Sequence, residues 1–364
     1  VFTFSKYAIN FLAIPSSNEA VYNKINKIFK VVNKVMEQIL TKYRTLGKDL
    51  TVSAIGFGCM GLSHAYGTAL PKADAIRRIR EAFETGYNFF DTAEIYVGKF
   101  ADGTPAPNEE VVGEALRPIR DKVIIASKGG IRWENGKTIP DANRKSIRTS
   151  VENSLKRLGI DTIDLYYQHR QDKLKEPEEV AEIFAELIKE GKIRHWGISN
   201  ATEDYIRRAD AVCKVTAVQL RYSMMARWTE ALFPMLEELN IGAVAYSPIA
   251  NGFLSGKIQT ADQYDSKTDF RSFMPQYQKE EIAKSRELLT LIENMAKEKN
   301  ATSAQISLAW MLCKKPYIVP IPGTTKTERI LENAQAANVV LTQKEIKDID
   351  TRLDKMNLKV FGGV

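Results

Sequence analysis

The chain has 364 residues, 44% of them hydrophobic and 27% charged, with a formal net charge of +7. That size holds one large α/β domain or two medium ones, and the lack of any run of about 20 apolar residues excludes a membrane-spanning helix. Three scattered cysteines (Cys59, Cys213, Cys313) and three histidines (His64, His169, His195) argue against a disulfide framework or a zinc site, and a reducing compartment, the cytoplasm, is the expected home.

Residues 1–41 read as an N-terminal extension. Val21, Ile25, Ile28, Phe29, Val32, Val35 and Ile39 fall at helical spacing, with Lys24, Lys27, Lys30 and Lys34 mostly on the other side. The pattern predicts a basic amphipathic helix over 20–41. It suits a membrane-surface or targeting helix, a helix packed on the body, or upstream sequence foreign to the native chain. The chain opens on Val1 and Met36 is the first methionine, so Met36 is the expected natural start. Residues 1–35 hold five lysines and one glutamate, four of the seven net charges. The remainder, 36–364, is thus barely basic, and nucleic acid is not an expected partner.

From residue 50 onward, short apolar runs alternate with helical patterns. The runs are VSAIGFG (52–58), YNFFD (87–91), KVIIASK (122–128), TIDLYYQH (162–169), IRHWGIS (193–199), VTAVQL (215–220), IGAVAYS (241–247) and YIVPIP (317–322). Amphipathic stretches between them end at Gly86, Gly159 and Gly191, the usual helix stop. Strands apolar on both faces that alternate with helices imply a parallel sheet. Eight such units in about 280 residues predict a (β/α)8 barrel with an extra C-terminal helix.

Gly56, Gly58 and Gly61 carry the G-x-G-x-x-G spacing of a Rossmann dinucleotide turn. The context rejects that reading. A Rossmann turn runs straight into a helix, with an acidic residue about 20 positions on. Here the loop LSHAYGTALPKAD follows, the next helix begins only around Pro71, and the next strand-end acid is Asp91. The glycines are expected instead to let a loop at the barrel mouth approach a ligand.

Catalytic groups in such barrels project from the C-terminal ends of strands. Those ends carry Asp91, with Tyr96 five residues on, then Lys128, His169, Ser199 with Asn200, Gln219, and Tyr246 with Ser247. A lysine ammonium beside a tyrosine favours the phenolate and lowers its pKa, and an aspartate balances the lysine. Tyr96 is then expected as proton donor and His169 as the group that orients a carbonyl oxygen. An electron source is still missing.

The segments GFGCMGLS, FFDTAEIY, IIASKGG, LYYQHR, WGISN, AYSPIANGFLSGK and PIPGTTKTERILEN, in this order, resemble the aldo-keto reductase superfamily over nearly all of residues 42–345. The resemblance is closest to the branch of auxin-induced-protein-like, perakine and pyridoxal reductases. It implies a (β/α)8 barrel that uses NADPH/NADP+ without a Rossmann domain and reduces aldehyde or ketone carbonyls. It assigns a catalytic tetrad to Asp91, Tyr96, Lys128 and His169. It implies that Gly58 and Met60 touch the cofactor, that Ser199, Asn200 and Gln219 hold the nicotinamide carboxamide, and that Tyr246 stacks on its ring. Ser247, Pro248, Ile249, Asn251, Gly252, Gly256 and Lys257 form the pyrophosphate clamp. Gly323, Thr324, Thr325, Lys326, Arg329, Glu332 and Asn333 lie at the adenosine end, where arginine and lysine favour a 2′-phosphate.

Three departures stand out. Gly323 replaces a phosphate-binding lysine of some branches, so Lys326 is expected to compensate. Ala250–Asn251 replaces a frequent glycine–arginine, and the loop VGKFADGTPAPNEE is longer than usual. Bland readings compete at several positions: Asp91 as a helix cap, Tyr96 as a rim residue, Lys128 as an ordinary strand end. Trp133, Arg221, Tyr222 and Trp228 divide evenly between substrate pocket and packing, and Met224 and Met225 read as filler. His195, at the start of its strand, belongs to the wrong end of the barrel. An NADPH-binding regulatory subunit of the same fold is the alternative function, and a phosphosugar isomerase or aldolase shares only the barrel.

Overall fold

The computed structural model describes residues 43–134, 137–257 and 260–362. By its own contacts the chain divides into residues 1–41 and 42–364. The helix expected over 20–41 and Met36 lie outside the described residues.

The second unit opens with a hairpin, β1 (Tyr43–Leu46) and β2 (Leu50–Ser53), turned through Gly47 at φ 58°. The sequence reading ran one strand from 52 to 58, and the structure breaks it in two. Val52 belongs to the hairpin, and only β3 (Phe57–Gly58) enters the barrel. The cause is hydrophobic closure: Leu46, Leu50 and Val52 join the buried cluster inside the barrel with Phe89, Leu165 and Val244. A Cβ on Gly242, the first residue of its strand, would lie 2.4 Å from the Leu46 side chain, so the hairpin plugs the N-terminal end.

The other seven barrel strands are β4 (Phe89–Asp91), β7 (Ile124–Gly129), β10 (Ile163–Gln168), β11 (Ile193–Ser199), β12 (Ala217–Arg221), β13 (Gly242–Tyr246) and β14 (Ile318–Pro320). They pair in parallel in chain order from β3 to β14. The Gly56 N–H donates to the Pro320 carbonyl (2.9 Å) and the Gly58 N–H to that of Pro322 (3.2 Å), which closes the two edge strands on each other. The count of eight and the order match the expectation. Two small hairpins, β5 (Val97–Lys99) with β6 (Pro105–Pro107) and β8 (Ile131–Glu134) with β9 (Lys137–Pro140), stand on the loops after β4 and β7. The first of them is what the long VGKFADGTPAPNEE loop builds.

Helices cover the strands: α1 (Lys72–Glu84), α2 (Asn108–Leu116), α3 (Arg144–Leu158), α4 (Pro177–Lys189), α5 (Glu203–Val212) and α6 (Phe233–Leu239). The C-terminal part adds α7 (Lys279–Lys284), α8 (Arg286–Glu298), α9 (Ser303–Lys314), α10 (Thr327–Gln335) and α11 (Gln343–Leu353). In α1 the buried residues are Ala75, Ile76, Ile79 and Ala82, one face of a 3.6-residue repeat. Helix α3 ends on Gly159 in the left-handed conformation (φ 64°), where the missing Cβ removes the steric penalty.

Strand alternation sorts the core into two layers. Phe57, Phe90, Ile125, Tyr166, Ile198 and Val218 face the helices. Phe89, Ala126, Leu165, Tyr167, Ala217 and Val244 face the barrel axis. The next inward position on each strand is then fixed by the period of two. These positions are Asp91 after Phe89, Lys128 after Ala126, His169 after Tyr167, Gln219 after Ala217 and Tyr246 after Val244.

Candidate active site

Five polar residues therefore top an apolar barrel axis, and four are deeply buried while Tyr246 is half-buried: Asp91 is 3% exposed, Lys128 0%, His169 4% and Gln219 2%. Lys128 Nζ donates to Asp91 Oδ1 (2.5 Å) and to the Thr92 carbonyl (2.7 Å), and lies 3.4 Å from the Tyr96 hydroxyl. Gln219 Nε2 donates to the second aspartate oxygen (2.7 Å). One cation and one amide thus hold the two oxygens of the carboxylate. It is no helix cap: a short turn, not a helix, follows it. The His169 ring meets Tyr96 edge to face, centroids 6.0 Å apart, and the His169 Nδ1 has no hydrogen-bond partner among the described residues.

Electrostatics in this cluster follow from burial. Desolvation pushes the Asp91 carboxyl up, against the pull of Lys128 and Gln219. The Lys128 ammonium sits above its ordinary value, because Asp91 and Tyr96 outweigh desolvation. Desolvation, with the charges of Lys128 and Arg170, holds His169 well below its ordinary value and therefore neutral. The sequence reading expected the lysine to bring Tyr96 down. Lys128 does pull in that direction, but burial outweighs it and Tyr96 lies above the ordinary tyrosine value. The correction has a chemical meaning: the phenol keeps its proton near neutrality, held beside an ammonium and a neutral imidazole.

The loop that carries Tyr96 is tied down by Asn108, the first residue of α2, which is 1% exposed. Its Oδ1 accepts from the Thr92 hydroxyl (2.6 Å), and its Nδ2 donates to the Cys59 carbonyl (2.9 Å) and Ser63 Oγ (2.7 Å). Its backbone N–H donates to the Tyr96 carbonyl (2.9 Å). His64, on the loop after β3, lies parallel to the Tyr96 ring at 6.0 Å.

A cavity of about 420 Å³ opens from this cluster. Asp91, Tyr96 and His169 line it, while Lys128 stays behind the wall. Of the residues the sequence singled out for a cofactor, Gly58, Met60, Ser199, Gln219, Tyr246, Ser247, Pro248, Ile249, Asn251, Gly252 and Lys257 line the same cavity. So do Gly323, Thr324, Thr325, Arg329, Glu332 and Asn333. Asn200, Gly256 and Lys326 do not. Asn200 Oδ1 accepts from the Tyr246 hydroxyl (2.9 Å). Lys326 does not line the cavity, whereas Arg329 does. No side chain fits at 323: a Cβ there would lie 2.5 Å from the Gly58 carbonyl oxygen, across the barrel seam.

Backbone strain gathers here too. Asn200, Ser247, Ala250 and Asn251 all adopt positive φ (47–62°), conformations that non-glycine residues hold only when their surroundings impose them. Asn251 donates from Nδ2 to the Tyr66 hydroxyl (2.7 Å).

Sequence reasoning missed Tyr66, Arg170, Arg271, Thr302 and Ala304, all of which line the cavity. Tyr66 and Arg271 meet because two loops pair across the mouth: Gly67 N–H to the Thr268 carbonyl (3.0 Å) and Phe270 N–H to that of Ala65 (2.9 Å). No periodicity marks such loop pairing. Thr302 was legible as the cap of α9, where it forms a capping box with Gln305, but the direction of that helix end was not. Of the four even-odds residues, none lines the cavity. Tyr222 stacks on Trp310 in the core, Trp133 and Trp228 are exposed, and Arg221 lies between Tyr246 and Phe361. Met224 and Met225 are buried, as filler should be. His195 faces Asp49 of the lower hairpin loop (3.9 Å), the end opposite the site.

Residues 54–354 match the sequence pattern of the Aldo/keto reductase family. Over 304 residues the chain is 40% identical to the soybean (Glycine max) protein "Probable aldo-keto reductase 1", covering 82% of this chain and 84% of that one. Among solved structures it resembles the glycerol dehydrogenase AKR11B4 from Gluconobacter oxydans, with a TM-score of 0.76 and 26% identity over 88% of this chain and 98% of that one. It also resembles an aldo/keto reductase from Klebsiella pneumoniae in complex with NADP and acetate, with a TM-score of 0.64 and 26% identity over 87% and 100% of the two chains.

Proposed function

Because the chain belongs to the aldo/keto reductase family, and is an oxidoreductase of carbonyl compounds, we propose that it reduces aldehydes or ketones to alcohols with NADPH, with Tyr96 as general acid. The observation that carries the reading is the buried Asp91–Lys128–Tyr96 chain beside a neutral His169, all at one end of a single cavity.

The residues present fit the coenzyme. The cavity offers Lys257 and Arg329, neither of which forms an ion pair among the described residues, and the N-terminus of α9 at Thr302 and Ala304. A helix N-terminus and free cations are a suitable donor set for phosphates. Arg329 is our candidate for the 2′-phosphate, Ser199 and Gln219 for the carboxamide, and Tyr246 for the ring face. Bound there, the reduced nicotinamide supplies the hydride.

The protein's own part is the proton. Tyr96 donates its hydroxyl hydrogen to the carbonyl oxygen as negative charge builds there, and Lys128 stabilises the phenolate left behind. Asp91 keeps Lys128 charged and in place. His169, neutral, directs a ring N–H at the same oxygen and fixes its position. The low-dielectric wall strengthens each of these interactions.

The test follows NADPH absorbance with a panel of aromatic and aliphatic aldehydes, comparing the wild type with Tyr96→Phe. General acid catalysis is worth about 10²–10⁴-fold, and a loss of that order in kcat/KM with NADPH still bound is the expected result. Wild-type protein that binds NADPH but turns over no carbonyl would refute the proposal.

A further inference from the structure

Four cationic side chains line the cavity: Arg170, Lys257, Arg271 and Arg329. Arg271 is engaged by Asp269, Nη2 to Oδ2 2.5 Å. Lys257 and Arg329 stand on the two segments assigned above to the phosphates of the dinucleotide. Arg170 is elsewhere. It follows His169 directly, and its Nη1 donates to the His169 carbonyl (3.0 Å) and lies 3.5 Å from Ser199 Oγ.

A guanidinium has five N–H donors in a planar fork. Those two contacts use one nitrogen, and among the described residues Nη2 and Nε have no acceptor. Nor has Arg170 an ion-pair partner among them. The acid of the catalytic cluster, Asp91, is held by Lys128 and Gln219 and makes no ion pair with Arg170 among the described residues. Arg170 itself is exposed, at the rim of the cavity. Its charge reaches the reacting groups: it is one of the influences that lower Tyr96 and His169. A solvent-facing cation beside the proton donor, with most of its fork unused, is a receptor for an anion that arrives with the substrate.

We infer that the carbonyl substrate carries a carboxylate, which Arg170 binds while Tyr96 and His169 hold the carbonyl oxygen. The inference rests on the reductase reading above. Two competing roles give Arg170 no say in substrate choice: fastening the end of β10 through the His169 carbonyl, and touching the bound coenzyme beside Ser199.

The experiment uses the full chain with NADPH and two matched pairs: benzaldehyde with 4-carboxybenzaldehyde, and butanal with succinic semialdehyde. The readout is the ratio of kcat/KM, acid over neutral partner, which is insensitive to any general loss of activity. The wild-type ratio is expected to exceed one. Arg170→Ala lowers it about 10–100-fold, chiefly through KM, the worth of hydrogen bonds to a charged group. Arg170→Lys restores part of it, because the charge stays and the fork is lost. An equal fall for both partners in Arg170→Ala overturns the inference in favour of the fastening role. A weakened NADPH affinity with an unaltered ratio overturns it in favour of the coenzyme contact. Failure of the wild type to reduce any of the four while binding NADPH defeats the reductase reading, and this inference with it.

Discussion

Tyr96 and His169 show how burial sets chemistry at single residues. In the proposed reaction the phenol delivers its proton only while neutral, so its contribution is present below its pKa and is lost as pH rises through it. Burial places that pKa above the ordinary tyrosine value of about 10, against the pull of Lys128. His169 is held well below the ordinary histidine value, so it changes charge only in acid. The expected pH profile of kcat/KM for reduction is therefore level from about pH 6 to about pH 9, with its falling limb near or above pH 10. Initial rates at saturating NADPH across that range check it, and a falling limb near neutrality would contradict the assignment. Each of the four tetrad residues could be named from the chain, because each ends or follows an apolar run. Arg170 could not be told from any other exposed arginine, since what distinguishes it is a place at the cavity rim beside Ser199 with no ion-pair partner among the described residues, a property of its neighbours in space.

At the scale of elements, the site depends on helices and loops that stand just outside it. Helix α2 supplies Asn108, the tie of the Tyr96 loop, and it packs against α3 without room to spare. A Cβ on Gly113 would lie 2.2 Å from the Leu158 carbonyl oxygen. Backbone cannot yield as a side chain can, so Gly113→Ala must push α2 away from α3. A destabilisation of about 1–3 kcal/mol is expected, the usual cost of overpacking. If α2 shifts, Tyr96 shifts with it, so kcat should fall as well; thermal unfolding and steady-state rates on one preparation check both. Strand and helix alternation in the sequence announced these elements correctly. It misread residues 52–58 as one strand because an apolar run carries no mark of where the chain leaves a hairpin and enters a barrel. The pairing of the loops around Tyr66 and Thr268 likewise joins segments about 200 residues apart, with no local signature.

For the whole molecule, the cavity joins both ends of the proposed coenzyme site across the barrel mouth, so binding should be read out by global stability. A ligand at 100 times its Kd stabilises the folded state by about 2.7 kcal/mol. NADPH is expected to raise Tm by a few degrees, and NADH at equal concentration by less. The difference is assigned to Arg329: Arg329→Ala should raise the KM for NADPH about 10-fold or more and leave that for NADH nearly unaltered. Melting curves and paired KM values check the two halves of that statement. Equal shifts from both coenzymes in the wild type would remove Arg329 from the 2′-phosphate. Among the described residues, no helix is long and apolar enough to cross a membrane.

What the sequence determined by itself was the barrel and the polar cluster at its mouth. Eight apolar runs set the number of strands, and strand alternation, two residues per repeat, turned Asp91, Lys128, His169, Gln219 and Tyr246 inward wherever the runs ended. Those are short-range rules, readable in order along the chain. Tertiary structure alone decided the rest: that burial outweighs Lys128 at Tyr96, that Gly323 faces the Gly58 carbonyl across the seam, and that Arg170 stands at the rim without a carboxylate partner among the described residues. Desolvation, steric closeness and charge pairing depend on distances between residues far apart in the chain, and these exist only once the barrel has closed.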